Sequence, residues 1–358
     1  MGSRGWRRAP GAALARPKPE IAQDDETDDP HRAVALHGLG AALPGAAPKP
    51  AAGPRRPATI AAFPAREARR PRLTRPVMTT NLVIQSPAPL PPVHHKTLLA
   101  LARGTGLASI DEQAIRIEGA QRAQAPDIAV YCGTHGLDYA FVEAGRRLGD
   151  FGLVAMDMDS TLITIECIDE IADFCGLKAE VAAITEASMR GEIKDFNESL
   201  TRRVALLAGL EASALERVYE ERLQLSPGAE AMLAGARAAG LKTLLVSGGF
   251  SFFTERLKAR LGLDFTRANT LEIVDGKLTG KVLGEIVNAE LKARTVRETC
   301  ATLGFEPARA IAMGDGSNDL AMMATAGFSV AFRAKPVVRE AASVAFDHVG
   351  LDGLLRLF

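Results

Sequence analysis

From Phe151 to the C-terminus, short apolar runs alternate with longer segments of helical spacing. Residues 151–156, 241–246 and 310–313 are apolar runs, each short enough to be a buried strand. The segment from Ala229 to Ala239 has the spacing of a helix and precedes Gly240, a residue type that commonly ends helices. Strands that alternate with helices predict an α/β fold, in which a parallel sheet is covered by helices on both faces.

The residues before this region, 78–150, predict a separate and smaller α+β module. In chain order, the patterns predict a strand (82–85), a helix (96–103), two strands (114–118 and 128–132) and a second helix (137–148). The module contains no catalytic constellation. A regulatory role, dimerisation into a homodimer and simple packing therefore remain open for it.

Residues 1–77 differ in composition from everything that follows. Ala, Pro, Gly and Arg fill 49 of these 77 positions, and the segment holds 12 of the chain's 20 prolines. Proline at this density interrupts helices and strands, and the segment has too little apolar surface to form a core. We therefore expect a disordered tail. Met78 stands where the composition becomes ordinary, so a start of translation at Met78 is an alternative.

Charge and cysteine content narrow the class of protein further. The tail carries 14 Lys/Arg against 7 Asp/Glu, a net charge of +7, and the whole chain is neutral with 43 of each, so the remainder carries −7. A neutral chain lacks the overall positive charge typical of nucleic-acid-binding proteins. The acidic residues at 24–26 and 28–29 argue against binding of nucleic acid or membrane by the basic tail. No apolar run reaches the roughly 18 residues of a membrane span. The four cysteines lack the spacing of a zinc site or a disulfide framework. We expect a cytoplasmic protein that binds neither nucleic acid nor membrane.

Polar clusters follow all three strand-like runs. These clusters are Asp157-Met158-Asp159-Ser160-Thr161, Ser247-Gly248-Gly249-Phe250 and Gly314-Asp315-Gly316-Ser317-Asn318-Asp319. In a parallel sheet the carboxyl ends of the strands meet at one edge, where ligands bind. We therefore expect carboxylates, a hydroxyl and backbone N–H groups to converge at one site.

This combination suits phosphoryl transfer. Oxygen ligands without His or Cys favour a hard cation, and Mg²⁺ is the expected cofactor. Glycines beside a hydroxyl let backbone N–H groups approach a phosphate. No histidine lies between His135 and His348, so a Ser-His pair is unavailable here. An aspartate can attack directly, and Asp157 and Asp159 have the right chemistry for a nucleophile and a general acid or base.

Together with Lys292, these clusters resemble the hallmark motifs of the haloacid dehalogenase superfamily. The resemblance covers residues 151–358 and implies a Rossmann-like core with a helical cap inserted at about residues 164–225. It also implies Mg²⁺-dependent hydrolysis of a phosphomonoester through an aspartyl-phosphate intermediate. Cap segments 166–172, 189–192, 195–196 and 199–204 resemble those of superfamily members that hydrolyse O-phospho-L-serine to L-serine and phosphate, the last step of serine biosynthesis.

The resemblance also implies a role for each matching residue. Asp157 would be the nucleophile and Asp159 the general acid and base. The metal site would consist of Asp157, Asp159 (through its backbone carbonyl), Asp315 and Asp319. The small-molecule substrate would be bound by Glu166, Met189, Phe196, Arg203, Ser247, Gly248, Lys292 and Asn318, with Glu166 on its ammonium and Arg203 on its carboxylate.

Three points stay open. Neighbours on a helix are about 100° apart, so only one of Arg202 and Arg203 is expected to face the site. Arg203 is preferred because it directly precedes Val204, as in the family pattern. The substrate could instead be another small phosphomonoester, or the phosphoryl group could pass to an alcohol. A catalytically silent phosphate sensor is the third alternative, which the intact Asp157 and Asp159 disfavour.

Overall fold

The computed structural model describes residues 79–190 and 192–358 of the chain. The disordered tail expected at residues 1–77 and the alternative start at Met78 lie outside the described residues. The side chain of Met189 is outside them as well. In the described part of the chain, helices and strands build two sheets, one small and antiparallel and one larger and mostly parallel.

The small sheet precedes the parallel one. Its elements follow one another as β1 (Thr80–Gln85), α1 (Pro92–Leu101), β2 (Gly106–Ser109), β3 (Ala114–Glu118), α2 (Ala125–His135) and β4 (Asp138–Glu143). The strands lie in the order β2-β3-β1-β4, and every neighbouring pair is antiparallel. This is the arrangement of a ferredoxin-like β-α-β-β-α-β fold. Leu82 and Ile84 face the core under the two helices, whereas Val83 between them faces the core of the larger sheet.

Two predictions for this region were wrong, and one strand was missed. Residues 128–132 lie inside α2 instead of forming a strand, and residues 138–143 form β4 instead of a helix. Pro126 lies in the first turn of α2, and Gly136 ends the helix in a left-handed conformation. Both signals lie outside the apolar run, so the run considered alone wrongly predicted a strand. Strand β2 is short and mostly exposed, and it therefore lacks an apolar pattern.

The larger sheet has seven strands. They are β5 (Leu153–Met156), β6 (Lys242–Phe250), β7 (Phe265–Val274), β8 (Lys277–Leu283), β9 (Ala310–Gly314), β10 (Phe328–Phe332) and β11 (Val344–Phe346). They lie in the order β11-β10-β9-β5-β6-β7-β8. All neighbours are parallel except β7 and β8, which form a hairpin. Asp275 and Gly276 make its turn with positive φ angles, as Asp-Gly pairs commonly do.

Both faces of the central strands are buried. Along β5, Val154 and Met156 belong to one core and Leu153 and Ala155 to another. Alternate side chains of a strand face opposite sides, so this pattern needs helices on both faces. One face is covered by α7 (Ala229–Ala238), α8 (Ser251–Leu261) and α12 (Gly353–Leu357), the other by α9 (Ala289–Leu303), α10 (Leu320–Thr325) and α11 (Pro336–Ala341).

A helical segment is inserted between β5 and α7. It contains α3 (Cys167–Phe174), α4 (Lys178–Met189), α5 (Phe196–Ala205) and α6 (Ser213–Glu221). The chain enters and leaves it side by side, because Ile163 and Leu225 form an antiparallel bridge. This helical segment lies where the cap was predicted. Among the described helices, none combines the length and the apolar character that crossing a membrane would require.

The three apolar runs of the sequence are neighbouring strands at the centre of the sheet. β6 and β9 flank β5, so the carboxyl ends of all three lie at one edge. The chain passes from β5 to β6 on one side and later to β9 on the other, which is the position where α/β sheets open a binding crevice. The Ser-Gly-Gly cluster is the end of β6 itself, where the pairing with β7 shifts register between Val246 and Phe250.

Asp138 joins the small sheet to the C-terminal segment of the larger one. Its carboxylate accepts hydrogen bonds from the backbone N–H groups of Asp347 (3.0 Å), His348 (2.9 Å) and Val349 (2.9 Å). The side chain is buried, with Asp138 only 3% exposed. A buried carboxylate is tolerated where several N–H donors surround it. These three bonds therefore contribute to holding the two sheets together, beside the packing of Val83 in the core of the larger sheet.

We expect Asp138→Asn to lower the free energy of unfolding by about 3 kcal/mol, because an amide NH₂ cannot accept bonds from buried N–H groups. Urea unfolding followed by circular dichroism measures the change. Glu143→Gln, at the exposed end of the same strand, is the matched control and should change stability by less than about 0.5 kcal/mol. Equal unfolding midpoints for the two variants would contradict this role of Asp138.

Candidate active site

Directly after β5 the chain makes a tight turn that places two carboxylates at the edge of the sheet. The turn is closed by hydrogen bonds from the Leu162 N–H to the Asp157 carbonyl (3.3 Å) and from the Ile163 N–H to the Met158 carbonyl (3.0 Å). Asp157 is buried and Asp159 is half-buried. Ser160 has a φ of 54°, in the left-handed region that residues other than glycine rarely adopt. Strain of this kind is concentrated at functional sites.

The strained turn connects to the beginning of α3. The Ser160 hydroxyl donates to Glu166 Oε1 at 2.7 Å. The N–H of Cys167, the first residue of α3, donates to Asp159 Oδ1 at 3.0 Å. The first polar cluster and the inserted helices are therefore linked by two short hydrogen bonds.

Three carboxylates from two of the polar clusters meet at this edge. Oxygen atoms of Asp157, Asp315 and Asp319 lie within 4.8 Å of one another. Thr161 Oγ1 donates to Asp315 at 3.3 Å, and the Gly316 N–H donates to Asp319 at 3.1 Å. Carboxylate oxygens without nitrogen or sulfur ligands suit a hard divalent cation. The cluster therefore fits a metal site.

Lys292 is fully buried beside this cluster. Its Nζ lies 2.7 Å from Asp157 Oδ2 and 2.8 Å from Asp319 Oδ1. Helix α9 positions it, and the Asn288 side chain caps that helix by accepting from the Leu291 N–H at 3.0 Å. Burial acts to lower the pKa of Lys292, but Asp157 and Asp319 outweigh it and raise that pKa. One lysine cannot neutralise three carboxylates, so the cluster keeps a negative charge.

The pKa values of the acids in the site are raised. Burial, and then the charge of Glu166, raises the pKa of Asp159 to about 7. Burial, and then Asp319, raises the pKa of Asp315 to about 6. The same two causes raise the pKa of Asp157 well above its ordinary value. Without a shared cation, the ionised forms of these groups are disfavoured.

The end of β6 approaches the acids through glycine backbone. The Ser247 hydroxyl accepts from the Gly249 N–H at 2.8 Å. A Cβ atom on Gly249 would lie 2.5 Å from Asp159 Oδ2, and one on Gly248 would lie 3.0 Å from the ring of Phe196. Glycine at both positions therefore lets the strand pass between a carboxylate of the sheet and an aromatic ring of the inserted helices.

A pocket of about 410 Å³ lies at this edge, between the sheet and the inserted helices. The predicted site residues that line it are Asp157, Asp159, Glu166, Phe196, Arg203, Ser247, Gly248, Asp315 and Asn318. Lys292 and Asp319 are in the acidic cluster next to the pocket. Met189 ends α4, and its predicted contact with the substrate falls on a side chain outside the described residues. The carboxylate of Asp159 is not part of the acidic cluster of Asp157, Asp315 and Asp319. The metal ligand predicted at this position is the backbone carbonyl of Asp159.

The two adjacent arginines of α5 face different surroundings. Arg202 is exposed and pairs with Glu198 at 2.5 Å. Arg203 is half-buried and lines the pocket, where its Nε donates to the Ser199 carbonyl at 3.4 Å.

Several pocket residues were missing from the predicted set. Among them are the lining residues Asp169, Thr185, Ser188, Gly249 and Lys335. Beside the pocket, the hydroxyl of Ser160 donates to Glu166. The spacing of Asp169, three residues after Glu166 at the start of a helix, was an available signal. Gly249 belongs to the polar cluster at residues 247–250, but no role was predicted for it. Lys335 follows β10, a strand whose end carried no polar motif.

Comparisons with known proteins agree with this geometry. Residues 154–324 match haloacid dehalogenase-like hydrolases, and residues 82–128 match a domain of unknown function. A phosphoserine phosphatase of Polaromonas sp. is 58% identical over 215 residues, which are 59% of this chain and 91% of that protein. The chain belongs to the haloacid dehalogenase-like hydrolase family. It is therefore an enzyme, a phosphatase, and the resemblance seen in the sequence is confirmed.

Solved structures of relatives share the fold of this hydrolase. A probable phosphoserine phosphatase from Vibrio cholerae aligns with a TM-score of 0.67 and 37% identity, over 78% of this chain and 86% of that one. A phosphoserine phosphatase solved as a phospho-aspartyl intermediate analogue aligns with a TM-score of 0.54 and 36% identity, over 57% of this chain and 98% of that one. These likenesses confirm the predicted α/β class with a mostly parallel sheet.

The raised pKa of Asp159, about 7, makes the metal-free hydrolase less stable as pH rises. In the unfolded chain this carboxyl loses its proton near pH 4. Between about pH 4 and 7 the folded state therefore holds more protons, and stability falls with rising pH. We expect the thermal midpoint in EDTA to be lower at pH 8 than at pH 5, and Asp159→Asn to reduce that difference. Asp150→Asn, at the exposed surface, is the control, and an Asp159→Asn protein with the wild-type pH dependence would contradict this explanation.

We expect Gly249→Ala to lower phosphatase activity about 100-fold, since displacing a group of an active site by about 1 Å has effects of that size. The added methyl group would lie 2.5 Å from Asp159 Oδ2, so either the carboxylate or the end of β6 must move. Initial rates with p-nitrophenyl phosphate measure the loss. Gly133→Ala, where a Cβ meets nothing within 4 Å, should keep the wild-type rate. Wild-type activity of Gly249→Ala would show that the close approach is unimportant.

Proposed function

We propose that this hydrolase converts O-phospho-L-serine to L-serine and phosphate, as the last step of serine biosynthesis. The observation that carries the proposal is the charge arrangement of the pocket. Glu166 and Arg203 face it from the inserted helices, opposite the acidic cluster and the Ser247-Gly248 backbone. An amino acid needs an anion and a cation at separate points, and this pocket offers both. The 58% identity with a phosphoserine phosphatase of Polaromonas sp. supports the same substrate.

Arg203 is the expected partner of the substrate carboxylate. Burial lowers the pKa of Arg203, while Asp169, Glu166 and Asp159 act in the opposite direction. Among the described residues, no carboxylate forms an ion pair with it, so its terminal N–H groups are available for a ligand. A guanidinium can donate two parallel hydrogen bonds to a carboxylate, which favours this pairing. The ring of Phe196, which lies over Gly248, would cover the bound substrate.

We propose Mg²⁺ as the cation of the acidic cluster. Asp157, Asp315 and Asp319 would hold it, together with the backbone carbonyl of Asp159. When bound, the ion neutralises charge on the nucleophile and on the phosphoryl group during transfer. Lys292 would remain beside Asp157 and, together with Ser247, Gly248 and Asn318, orient the phosphoryl group.

In the first half of the proposed reaction, an oxygen of Asp157 attacks phosphorus and the bond from phosphorus to the serine oxygen breaks. Asp159 gives its proton to the departing alkoxide, so serine leaves as an alcohol. A pKa raised to about 7 allows this carboxyl to hold a proton near neutral pH. The product is an aspartyl-phosphate on Asp157. A relative at 36% identity has been solved as an analogue of such an intermediate, which supports this step.

In the second half, water attacks the phosphorus and the bond to Asp157 breaks. Asp159, now a carboxylate, takes a proton from that water, and phosphate leaves with both aspartates restored. Exclusion of water during the first half protects the intermediate. The inserted helices can provide this exclusion because Phe196 and Glu166 already lie over the site.

We also propose the domain limits, the cytoplasmic location and the homodimer that were expected from the sequence. All lining residues of the pocket fall between Asp157 and Lys335, which supports a catalytic domain at 151–358 with a cap at about 164–225. The small module at 78–150 contributes no lining residue. A cytoplasmic location fits a small, charged substrate. Formation of a homodimer stays a prediction.

Phosphate release from O-phospho-L-serine tests the proposed function. We expect activity with Mg²⁺, loss of activity in EDTA and recovery on adding Mg²⁺. Asp157→Asn should lower the rate at least about 10³-fold, because it removes the nucleophile. Asp150→Asn, which changes an exposed acid, should keep the rate. Undiminished release by Asp157→Asn would exclude Asp157 as the nucleophile, and equal rates with unrelated phosphomonoesters would exclude phosphoserine as the preferred substrate.

A further inference from the structure

Asp169 is a pocket residue whose carboxylate is only partly used. It lines the pocket together with Glu166 and Arg203, and it is not among the site residues predicted from the sequence. Its Oδ1 atom is buried and has no hydrogen-bond partner in the described part of the chain. A buried acceptor without a donor is unfavourable. An atom of this kind is expected to find its donor when the site is occupied.

A role at the start of α3 does not account for this carboxylate. Asp169 lies in the first turn of the helix, where the helix dipole favours an acid and would lower its pKa. Instead, burial raises the pKa of Asp169, against the opposing charges of Arg203 and Lys178. A position at the start of the helix therefore does not explain why the Oδ1 atom is buried without a hydrogen-bond donor.

The position of Asp169 next to Glu166 suggests the donor. The two residues are three apart, and the Asp169 N–H donates to the Glu166 carbonyl at 3.1 Å. Side chains three apart at the start of a helix are neighbours, with about 5–6 Å between their Cβ atoms. Glu166 Oε1 already accepts from Ser160. An ammonium group carries three N–H donors, so one partly engaged carboxylate leaves it incompletely bonded.

We propose that Asp169 is a specificity-determining residue whose free Oδ1 accepts a hydrogen bond from the ammonium group of the substrate, beside the bond accepted by Glu166. The inference rests on the proposed function and names the substrate class more closely, as phosphomonoesters that carry an ammonium next to their carboxylate. A phosphomonoester with a hydroxyl in place of the ammonium has a single donor and no positive charge, so it could not serve both the exposed carboxylate of Glu166 and the buried Oδ1 atom of Asp169. Leaving buried polar groups unpaired is an effective way to reject a ligand.

Asp169 could instead act through Arg203. It is the acid that most strongly raises the pKa of that arginine, whose own burial works the other way. In that case Asp169 would help to bind the substrate carboxylate and not its ammonium. No ion pair between Asp169 and Arg203 is present among the described residues, which favours the ammonium. The two roles predict different losses for substrates that lack one of the two charges.

The test compares Asp169→Ala, which removes both carboxylate oxygens, with the wild-type enzyme on three substrates. O-phospho-L-serine has both charges, phosphoethanolamine has the ammonium alone, and 3-phosphoglycerate has the carboxylate with a hydroxyl in place of the ammonium. We expect kcat/KM to fall about 10- to 100-fold for the first two, mainly through KM, and to stay within about 3-fold for 3-phosphoglycerate. Asp173→Ala is the matched control, because Asp173 lies on the same helix and pairs with Arg222 and Lys178.

Each other outcome overturns the inference. Losses for phosphoserine and 3-phosphoglycerate, with phosphoethanolamine spared, would show that Asp169 acts through Arg203. Equal losses for all three substrates, together with a lowered thermal midpoint, would show a structural role alone. The wild-type rates report separately on the proposed function. A wild-type enzyme that does not prefer O-phospho-L-serine would refute that function and with it the inference, whereas a preference retained by Asp169→Ala would refute the inference alone.

Discussion

The repulsion among carboxylates at the ends of the central strands is the constraint that shapes this protein. Asp157, Asp315 and Asp319 are brought together because β5 and β9 are neighbours in a parallel sheet that is buried on both faces. Lys292 meets two of them, and the remaining negative charge matches a divalent cation. Burial, and after it the charge of Asp319, raises the pKa values of Asp157 and Asp315. The fold therefore gives up stability at the place where the chemistry needs concentrated charge.

The inserted helices are tied to the chemistry through the first turn of α3. Its opening N–H donates to Asp159, and the residue before it, Glu166, receives the Ser160 hydroxyl. Asp169, one turn further, faces the same pocket. One short helical segment thus contacts Asp159 and carries the groups proposed to recognise the amino acid. Ser160, with its left-handed backbone, lies between Asp159 and this segment and donates to Glu166.

The small antiparallel sheet shows where reasoning from local patterns fails. The apolar run at 128–132 is compatible with a strand or with one face of a helix, and periodicity cannot separate the two over so few residues. Pro126 and Gly136 define the helix from outside the run. Strand β4 is a strand because it pairs with β1, almost sixty residues earlier in the chain, and because Asp138 at its beginning binds the C-terminal segment. Neither partner is visible in a local window.

By itself the sequence determined the α/β class, the three central strands and the polar clusters that follow them. The reason is that a buried strand is a short run of consecutive apolar residues, and the polar residues of the site follow that run directly in the sequence. It also identified the nine predicted residues that line the pocket. Only the tertiary structure decided which arginine faces the pocket and that Lys292 pairs with Asp157 and Asp319. It also decided that the backbone of Gly249 lies too close to the Asp159 carboxylate to accommodate a side chain. These features depend on distances between segments far apart in the chain. Such distances are set by packing and not by local propensity.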